Sequence, residues 1–444
     1  MTNPRLLNIL EKVLPRDFPA EILVLTEDAL GTQVRNNCLI QGSRLKNNLV
    51  RVRAEAGGRV GEEITNVFSL PSLRRTLARA RKRAETGRPG PLVLVGSNLL
   101  QAPVSDSVMT LSLQDHAALL APLTDLAGKA NLSVNAWLQT LSGDLCIINT
   151  AGLAASAGTA CSTVEIRVTS ATGPGSGYGY ACHHNGEKLD VAGAFLAAAA
   201  KCQASELQRS LPAGEYTVIL EPAAVADLMA VAANIFFDGR AFREGRTPFS
   251  RLGVKMFSDQ LNISDDSLNP QGMQMPFDFE GVAKQRLNLV NRGVLQAVCL
   301  DNGTAAGLKT ASTGHAAPPG SSRGPIPWHL AVEAGNAMLD DMIASTERGI
   351  LVSRLHNISV LDARATLIAG ATAGGTLLVE QGKLTSALPD LRFVQNLILA
   401  LNNIEMTGDE SKLFGGLWKG FRVPALKLNS FSFLAATPGR SEEG

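Results

Sequence analysis

The sequence has almost no net charge. Lys plus Arg number 41 against 40 Asp plus Glu, a formal +1. No bulk field therefore points the chain at nucleic acid or at a membrane surface. Aromatic residues make up only 5%, too few for a stacking platform that holds single-stranded nucleic acid. The six cysteines (Cys38, Cys146, Cys161, Cys182, Cys202, Cys299) are scattered and form no C-x-x-C pair. That excludes a zinc ribbon, argues against a disulfide frame, and fits reduced thiols in a cytoplasm. No uninterrupted apolar run is long enough to span a bilayer. The opening residues, MTNPRLLNILEKVLPRDFP, break their apolar run with charges of both signs. They read as an amphipathic helix over residues 5–14 rather than a signal peptide.

What is present is size and apolar content. A chain of 444 residues with 45% apolar composition can bury more than one core. Two domains are expected, residues 1–208 and 211–444. The second opens on the most telling stretch of the chain, LPAGEYTVILEPAAVADLMAVAANIFF (211–237). Leu211 to Gly214 is a turn signal, and Tyr216 to Leu220 a buried strand. Pro222 then stands where a helix begins, a position that tolerates its missing N–H. Val225, Leu228, Met229, Ala232, Ile235 and Phe236 follow at helical spacing. A strand–elbow–helix of this kind often carries a nucleophile or a ligand site, because the helix N-terminus favours anions. This elbow carries Glu221 and no His, Cys or Ser.

The rest of the first half predicts an antiparallel sheet with helices. Strands are expected at 21–26, 32–39, 45–55, 59–68, 134–148 and 160–169, and helices at 71–88, 111–130 and 189–210, with a Pro/Gly-rich connector at 87–104. The 71–88 helix has a basic face (Arg74, Arg75, Arg79, Arg81, Lys82, Arg83) that reads as solvated in so neutral a chain. The run TGPGSGYG (172–179) lacks the Lys-Ser/Thr of a phosphate loop and reads as a hairpin or sheet edge. In the second half, residues 262–276 read as a loop and Asn291-Arg292-Gly293 as a hairpin turn. Residues 338–348 read as a helix ended by Gly349. Strands follow at 349–355, 365–368, 375–380 and 424–434, with a helix at 391–404. The fold class expected is α+β: an antiparallel sheet-plus-helices domain, then a mostly β domain wrapped around the helix after Glu221.

The segments LPAGEYTVILEPAAVADLM (211–229), PFDFEGVAKQRLNLVNRGVL (276–295), STGHAA (312–317), ERGILVSRLHN (347–357), TLLVEQGKL (376–384) and PALKLNSFSF (424–433), in this order, resemble the TldD/PmbA family and its PmbA (TldE) branch. In the first half, LVRVRAEAGGRVGEE (49–63) and the helix after it resemble the family's N-terminal domain. The TldD branch looks like a zinc metallopeptidase, with an H-E-x-x-x-H helix after this strand and a Cys ligand near the C-terminus. Two His and a thiolate would hold Zn²⁺ with an open position, and the Glu would serve as base. Carried onto this chain, the His positions fall at Glu221 and Ala226 and the base position at Pro222. No cysteine follows Cys299, and the stretch where the ligand Cys would lie is Lys412 to Trp418.

The resemblance therefore implies a non-catalytic TldE/PmbA-like subunit, inactive alone, with no catalytic residue, metal ligand or cofactor of its own. Zinc is expected in a TldD-like partner, in a cytoplasmic heterodimer that acts on modified peptides or carrier-linked amino acids. Neither nucleic acid nor membrane is expected as a partner. The alternative is a stand-alone peptide-binding homodimer without peptidase activity. Ser312, Thr313, Gly314 and His315, whose segment departs from the family by running into Ala-Ala-Pro-Pro, are candidates for a peptide groove. Arg354 and His356 are further candidates, where alternate residues of an edge strand would add a peptide by β-augmentation. A third reading gathers His315, His329 and His356 into a relocated metal site. His183 and His184, as strand neighbours, are expected on opposite faces. Asp278 and Glu280, two apart, would share a face on a strand as a carboxylate pair, but read as solvent-exposed turn residues.

Overall fold

A computed structural model describes residues 4–96, 110–204 and 208–434. The expected connector beyond residue 96 and the helical expectation at 205–207 lie outside these. The fold is α+β and contains two sheets. The first sheet comprises β1 (Ala20–Arg35), β2 (Cys38–Ala56), β3 (Arg59–Thr65), β4 (Arg88–Pro89), β5 (Leu132–Asn149), β6 (Ala154–Ser170) and β7 (Ser176–His183). Its order is β4-β3-β2-β1-β5-β6-β7, with antiparallel neighbours throughout.

Strand periodicity decides what each face of this sheet meets. Ile22, Val24, Val34, Val134, Leu138, Cys146 and Ile148 share one face. Helices α1 (Pro4–Glu11) and α2 (Leu70–Ala84) cover one end of that face, with Leu6, Leu10, Leu73 and Leu77 in the interface. Helices α3 (Leu113–Lys129) and α4 (Val191–Ala204) cover the other end, through Leu120, Leu123 and Phe195. Leu23, Leu25, Leu145 and Ile147 point the opposite way and pack on Met275, Phe277, Phe279 and Trp418 of the second half. Glycine lets β7 press against α4: a Cβ at Gly179 would lie 1.8 Å from the Ala194 carbonyl oxygen. The run 172–179 is thus a turn leading into the sheet's last strand.

The second sheet is built from β8 (Gly214–Leu220), β9 (Ile263–Asp265), β10 (Leu287–Asn291), β11 (Val294–Leu295), β12 (Leu330–Val332), β13 (Arg348–Asp362), β14 (Leu367–Glu380), β15 (Lys383–Leu388), β16 (Arg392–Asn396), β17 (Ile404–Gly416) and β18 (Lys419–Phe433). Five of these strands close a ring: β8 pairs with β13, β13 with β14, β14 with β16, β16 with β18, and β18 back with β8. Helix α5 (Pro222–Phe236) packs on β13 and β18. Leu228, Met229 and Phe236 are fully buried in the largest core cluster, each burial worth roughly 1.5–3 kcal/mol.

Several expectations need correction. Residues 32–39 are not one strand: Asn36 and Asn37 take positive φ (48° and 62°) and turn β1 into β2, a conformation asparagine tolerates better than most residues. The helix expected at 338–348 stops at Ala344, because the Ser345 and Thr346 hydroxyls donate back to the Asp341 and Met342 carbonyls. Gly349 is then a strand residue, paired with Thr217. The stretch 391–404 begins as β16 and turns helical only at Leu397–Asn402, where the Asn396 side chain accepts from the Leu399 N–H as N-cap. The loop expected at 262–276 contains β9, while the Asn291-Arg292-Gly293 turn is as expected.

One buried network in the first half titrates. His116 of α3 is fully buried, with Nδ1 3.0 Å from Thr32 Oγ1 and Nε2 2.9 Å from Thr140 Oγ1. Burial lowers its pKa from 6.5 to about 4. Above pH 6.5 the ring is neutral whether the chain is folded or not. As pH falls toward 4, the unfolded chain takes a proton that the folded chain refuses, so stability is lost. We expect chemical denaturation to show His116→Gln losing about 3 kcal/mol less than the parent between pH 7 and pH 4. Equal losses would contradict the assignment.

Candidate functional site

The elbow forms as the sequence suggests. Glu221 is extended (φ −66°, ψ 161°) and its N–H bonds the Val352 carbonyl at 3.0 Å, so the helix start is pinned to β13. Its carboxylate does not cap the helix. Glu221 Oε2 accepts from Lys201 Nζ at 2.6 Å and from Ser353 Oγ at 2.5 Å. Lys201 also donates to the Tyr178 carbonyl at 3.1 Å. The pair spans both halves of the chain and is mostly buried, with side-chain exposures of 18% and 11%.

A second charge pair lies farther along α5. Arg354 forks onto Asp227, with Nε 3.1 Å from Oδ2 and Nη2 3.0 Å from Oδ1, and Asp227 also accepts the Leu355 N–H. Arg354 Nη1 reaches Tyr178 Oη at 3.1 Å and Glu165 Oε2 at 3.3 Å, both on the first sheet. The guanidinium lies 4.9 Å from the centre of the Tyr178 ring. Burial raises the Asp227 pKa, and Arg354 works against that rise. Burial also raises the Tyr178 pKa, so its hydroxyl stays protonated.

Beside this knot is a cavity of about 330 Å³. Arg354, His356, Ala373 and Gly374 line it from the second half. Gln33, Val34, Asn135, Ala136, Trp137, Glu165, Ile166, Arg167 and Tyr178 line it from the first. Two of the expected groove residues, Arg354 and His356, therefore meet at one opening. β13 pairs with β14 along its length but with β8 only as far as Val352, so at Arg354 and His356 it has a strand partner on one side, and Asp227 takes the Leu355 N–H.

The other candidates sit elsewhere. The chain around Cys299 and Leu300 runs beside the C-terminal end of α5, where the Gly239 N–H bonds the Cys299 carbonyl. Ser312 and Thr313 spend their hydroxyls on the Leu300 backbone. Gly314 takes a positive φ of 74°, and His315 is fully buried. His315 and His329 do converge, on the fully buried Asp265. His315 Nε2 is 3.1 Å from Asp265 Oδ1, Lys284 Nζ is 3.0 Å from the same oxygen, and the backbone N–H of His329, not its ring, donates to Oδ2 at 2.7 Å. Burial works against the Asp265 charge, yet Lys284 and His315 hold its pKa well below the ordinary carboxylate value. His356 is not part of this cluster, so the expected trio is reduced to two.

The turn expected at Asp278 and Glu280 is present, but Asp278 is buried rather than solvent-exposed. In this turn Asp278 Oδ1 accepts the Glu280 and Val282 N–H groups. The rings of His183 and His184 are 4.5 Å apart rather than opposed, because β7 ends at His183.

At the positions that the resemblance assigns to a metal, the residues do not fit a zinc ion. The Glu221 carboxylate already holds an ammonium and a hydroxyl, and Pro222 and Ala226 offer no ligand atom. Among the described residues, no group of three or more His, Cys, Asp or Glu side chains is placed to hold a metal. No helix among them is long and apolar enough to cross a membrane.

Lys201, Asp227, Tyr178, Glu165 and Trp137 were not singled out by the sequence reading. A signal existed for two of them. Lys201 is the one charged residue of α4, and Asp227 the one charged residue of α5. A lone charge on an otherwise apolar helix needs a partner.

Residues 213–434 match the family described as PmbA/TldA metallopeptidase C-terminal domain. A metalloprotease TldD homolog of Haemophilus influenzae is 26% identical over 236 residues, 50% of this chain and 48% of that protein. A metalloprotease PmbA homolog of Buchnera aphidicola is 29% identical over 154 residues, 34% of this chain and 32% of its own length. The chain thus spans half or less of these two curated relatives. In fold it is similar to the crystal structure of TldE from Thermococcus kodakarensis, with a TM-score of 0.85 at 21% identity, covering 97% of this chain and 99% of the other.

The Lys201–Glu221 pair makes a direct prediction. Lys201→Ala leaves a buried carboxylate without its cation and should cost about 3 kcal/mol in denaturant unfolding. Adding Glu221→Gln should recover part of that loss. A double variant less stable than Lys201→Ala would show that the pair is not the source.

Proposed function

The chain belongs to the TldD/PmbA family, and from that premise we propose that it is the non-catalytic, TldE/PmbA-like subunit of a two-subunit zinc metallopeptidase. The observation that carries this reading is the elbow. In the zinc-bearing branch that segment would supply both His ligands and the base. Here it supplies one carboxylate, already neutralised by Lys201. An ammonium gives a local positive charge but no open coordination position, so it cannot activate a water as a catalytic zinc does.

The partner is a TldD-like subunit that carries the zinc, and the substrate is a peptide, modified or carrier-linked. The role of this chain is to complete the substrate path and to hold peptide at the Arg354–His356 cavity. The cavity's size supports that role: about 330 Å³ lies near the small end of ligand sites, enough for a few groups of an extended chain. Ser312 to His315 do not line this cavity, and their polar groups are taken up by the Leu300 backbone and by Asp265. Cytoplasmic residence fits a cysteine set with no C-x-x-C pair.

Purified alone and supplied with zinc, the chain should not hydrolyse unstructured peptides. Mixed with a TldD-like subunit that bears H-E-x-x-x-H, it should form a stoichiometric complex whose chelator-sensitive hydrolysis exceeds that of the TldD-like subunit alone. Chelator-sensitive hydrolysis by the chain alone would overturn the proposal.

A further inference from the structure

Trp137 is 39% exposed and stands in the wall of the cavity, whereas Trp418 is 4% exposed and the Trp328 indole nitrogen is buried. An exposed tryptophan at a cavity mouth is an unused contact surface of high value. It is also held in place. The Cη2–Cζ2 side of the indole packs against β1 at Gly31, where a Cβ would sit 2.4 Å from Cη2 and 2.6 Å from Cζ2. A ring fixed in this way loses little freedom when something stacks on it.

Opposite it, the Tyr178 ring is fixed under Arg354, and the β14 backbone comes close enough that a Cβ at Gly374 would lie 2.7 Å from Tyr178 Cβ. Charge decides which side chain this space suits. Arg354 is occupied by Asp227, Tyr178 and Glu165. Arg167 and His356 have no hydrogen-bond partner among the described residues, and both face the Asp390 carboxylate electrostatically. Two guanidinium groups therefore meet three carboxylates around the cavity, so it is not a trap for an anion. The carboxylates are compensated in turn, Glu165 and Asp227 by Arg354 and Asp390 by Arg167 and His356, so neither sign of charge is favoured. The spare polar capacity is mainly of donors: Arg167, His356 and the Asn135 amide nitrogen, whose oxygen already accepts the Asn36 N–H. Donors with no ligand acceptor suit peptide carbonyls.

We infer that this cavity is a recognition subsite for one uncharged aromatic or large apolar side chain of an extended peptide, stacked on Trp137, with the flanking peptide carbonyls facing Arg167, His356 and Asn135. This rests on the reading of the chain as a peptide-handling subunit and gives that reading a substrate preference. The subsite takes phenylalanine or leucine ahead of alanine, aspartate or lysine.

The test uses the full chain with two blocked peptides, Ala-Ala-Phe-Ala-Ala and Ala-Ala-Ala-Ala-Ala, followed by calorimetry and by tryptophan emission. The Phe peptide should bind at least about tenfold tighter and shift the emission. Trp137→Leu should abolish the preference, and Gly31→Val, which displaces the ring, should do the same. Arg74→Ala on the exposed face of α2 should change nothing. Equal affinity for the two peptides would overturn the inference, as would an unaltered preference in a Trp137→Leu chain whose circular dichroism matches the parent. Complex formation with a zinc-bearing subunit is scored separately. If Phe binding depends on Trp137 but no complex forms, the subunit reading falls and the subsite stands. If the complex forms without any Phe preference, the subsite falls alone.

Discussion

The site depends on the contact between Lys201 and Glu221. It joins the last helix of the first half to the elbow of the second, and it decides what the elbow can do. A carboxylate at a helix N-terminus would ordinarily turn to the helix and accept from its first N–H groups, and Glu221 makes no such cap. Here an ammonium at 2.6 Å and a hydroxyl at 2.5 Å consume it. The Arg354–Asp227 fork repeats the arrangement about two turns along the same helix, again drawing the first sheet against the second through Tyr178 and Glu165. Charges taken from water in this way stabilise only when paired with good geometry, and both pairs meet that condition. Arg53 adds a third tie, bridging Glu21 of β1 and Glu280 of the second half.

These ties account for the position of the cavity. Each strand of the first sheet gives alternate residues to the helices behind it and the rest to the second half. Trp137, Glu165 and Tyr178 all belong to the second set. Where the two halves pack on apolar residues, they close around Phe277, Phe279 and Trp418. Where they meet through Arg354, the interface is polar and leaves space. On the proposed reading, an elbow whose carboxylate is held by Lys201 and Ser353, together with an open cavity beside Arg354, favours a subunit that holds peptide over one that cuts it.

Elements with a strong local signal were legible in the sequence. The strand–Pro–helix at 214–236, the hairpin at Asn291–Gly293 and the amphipathic helix α2 needed no tertiary information. Local pattern failed where capping or pairing overrode it. Ser345 and Thr346 ended a helix that had no breaker before Gly349, and Asn396 started one late, after five residues had joined β16. The paired asparagines at 36–37 were a turn signal hidden inside an apolar alternation. The site was legible in part. Arg354 and His356 line the cavity as strand neighbours of one parity, but their partners come from β5, β6, β7 and α5, and no local pattern reports contacts between residues more than a hundred positions apart. Ser312 to His315 were misplaced for the opposite reason. A polar segment looks exposed in sequence, and only the fold reveals that the Leu300 backbone and Asp265 satisfy it from within.

On the proposed reading, the Lys201 ammonium beside Glu221 stands where the zinc-bearing branch would hold its metal. The most direct test of this claim is an equilibrium zinc titration of the purified chain against a chelating indicator. The account predicts no stoichiometric uptake, either by the chain itself or by a variant carrying Glu221→His, Pro222→Glu and Ala226→His while Lys201 remains. Uptake of one zinc per chain by the unaltered protein would contradict it.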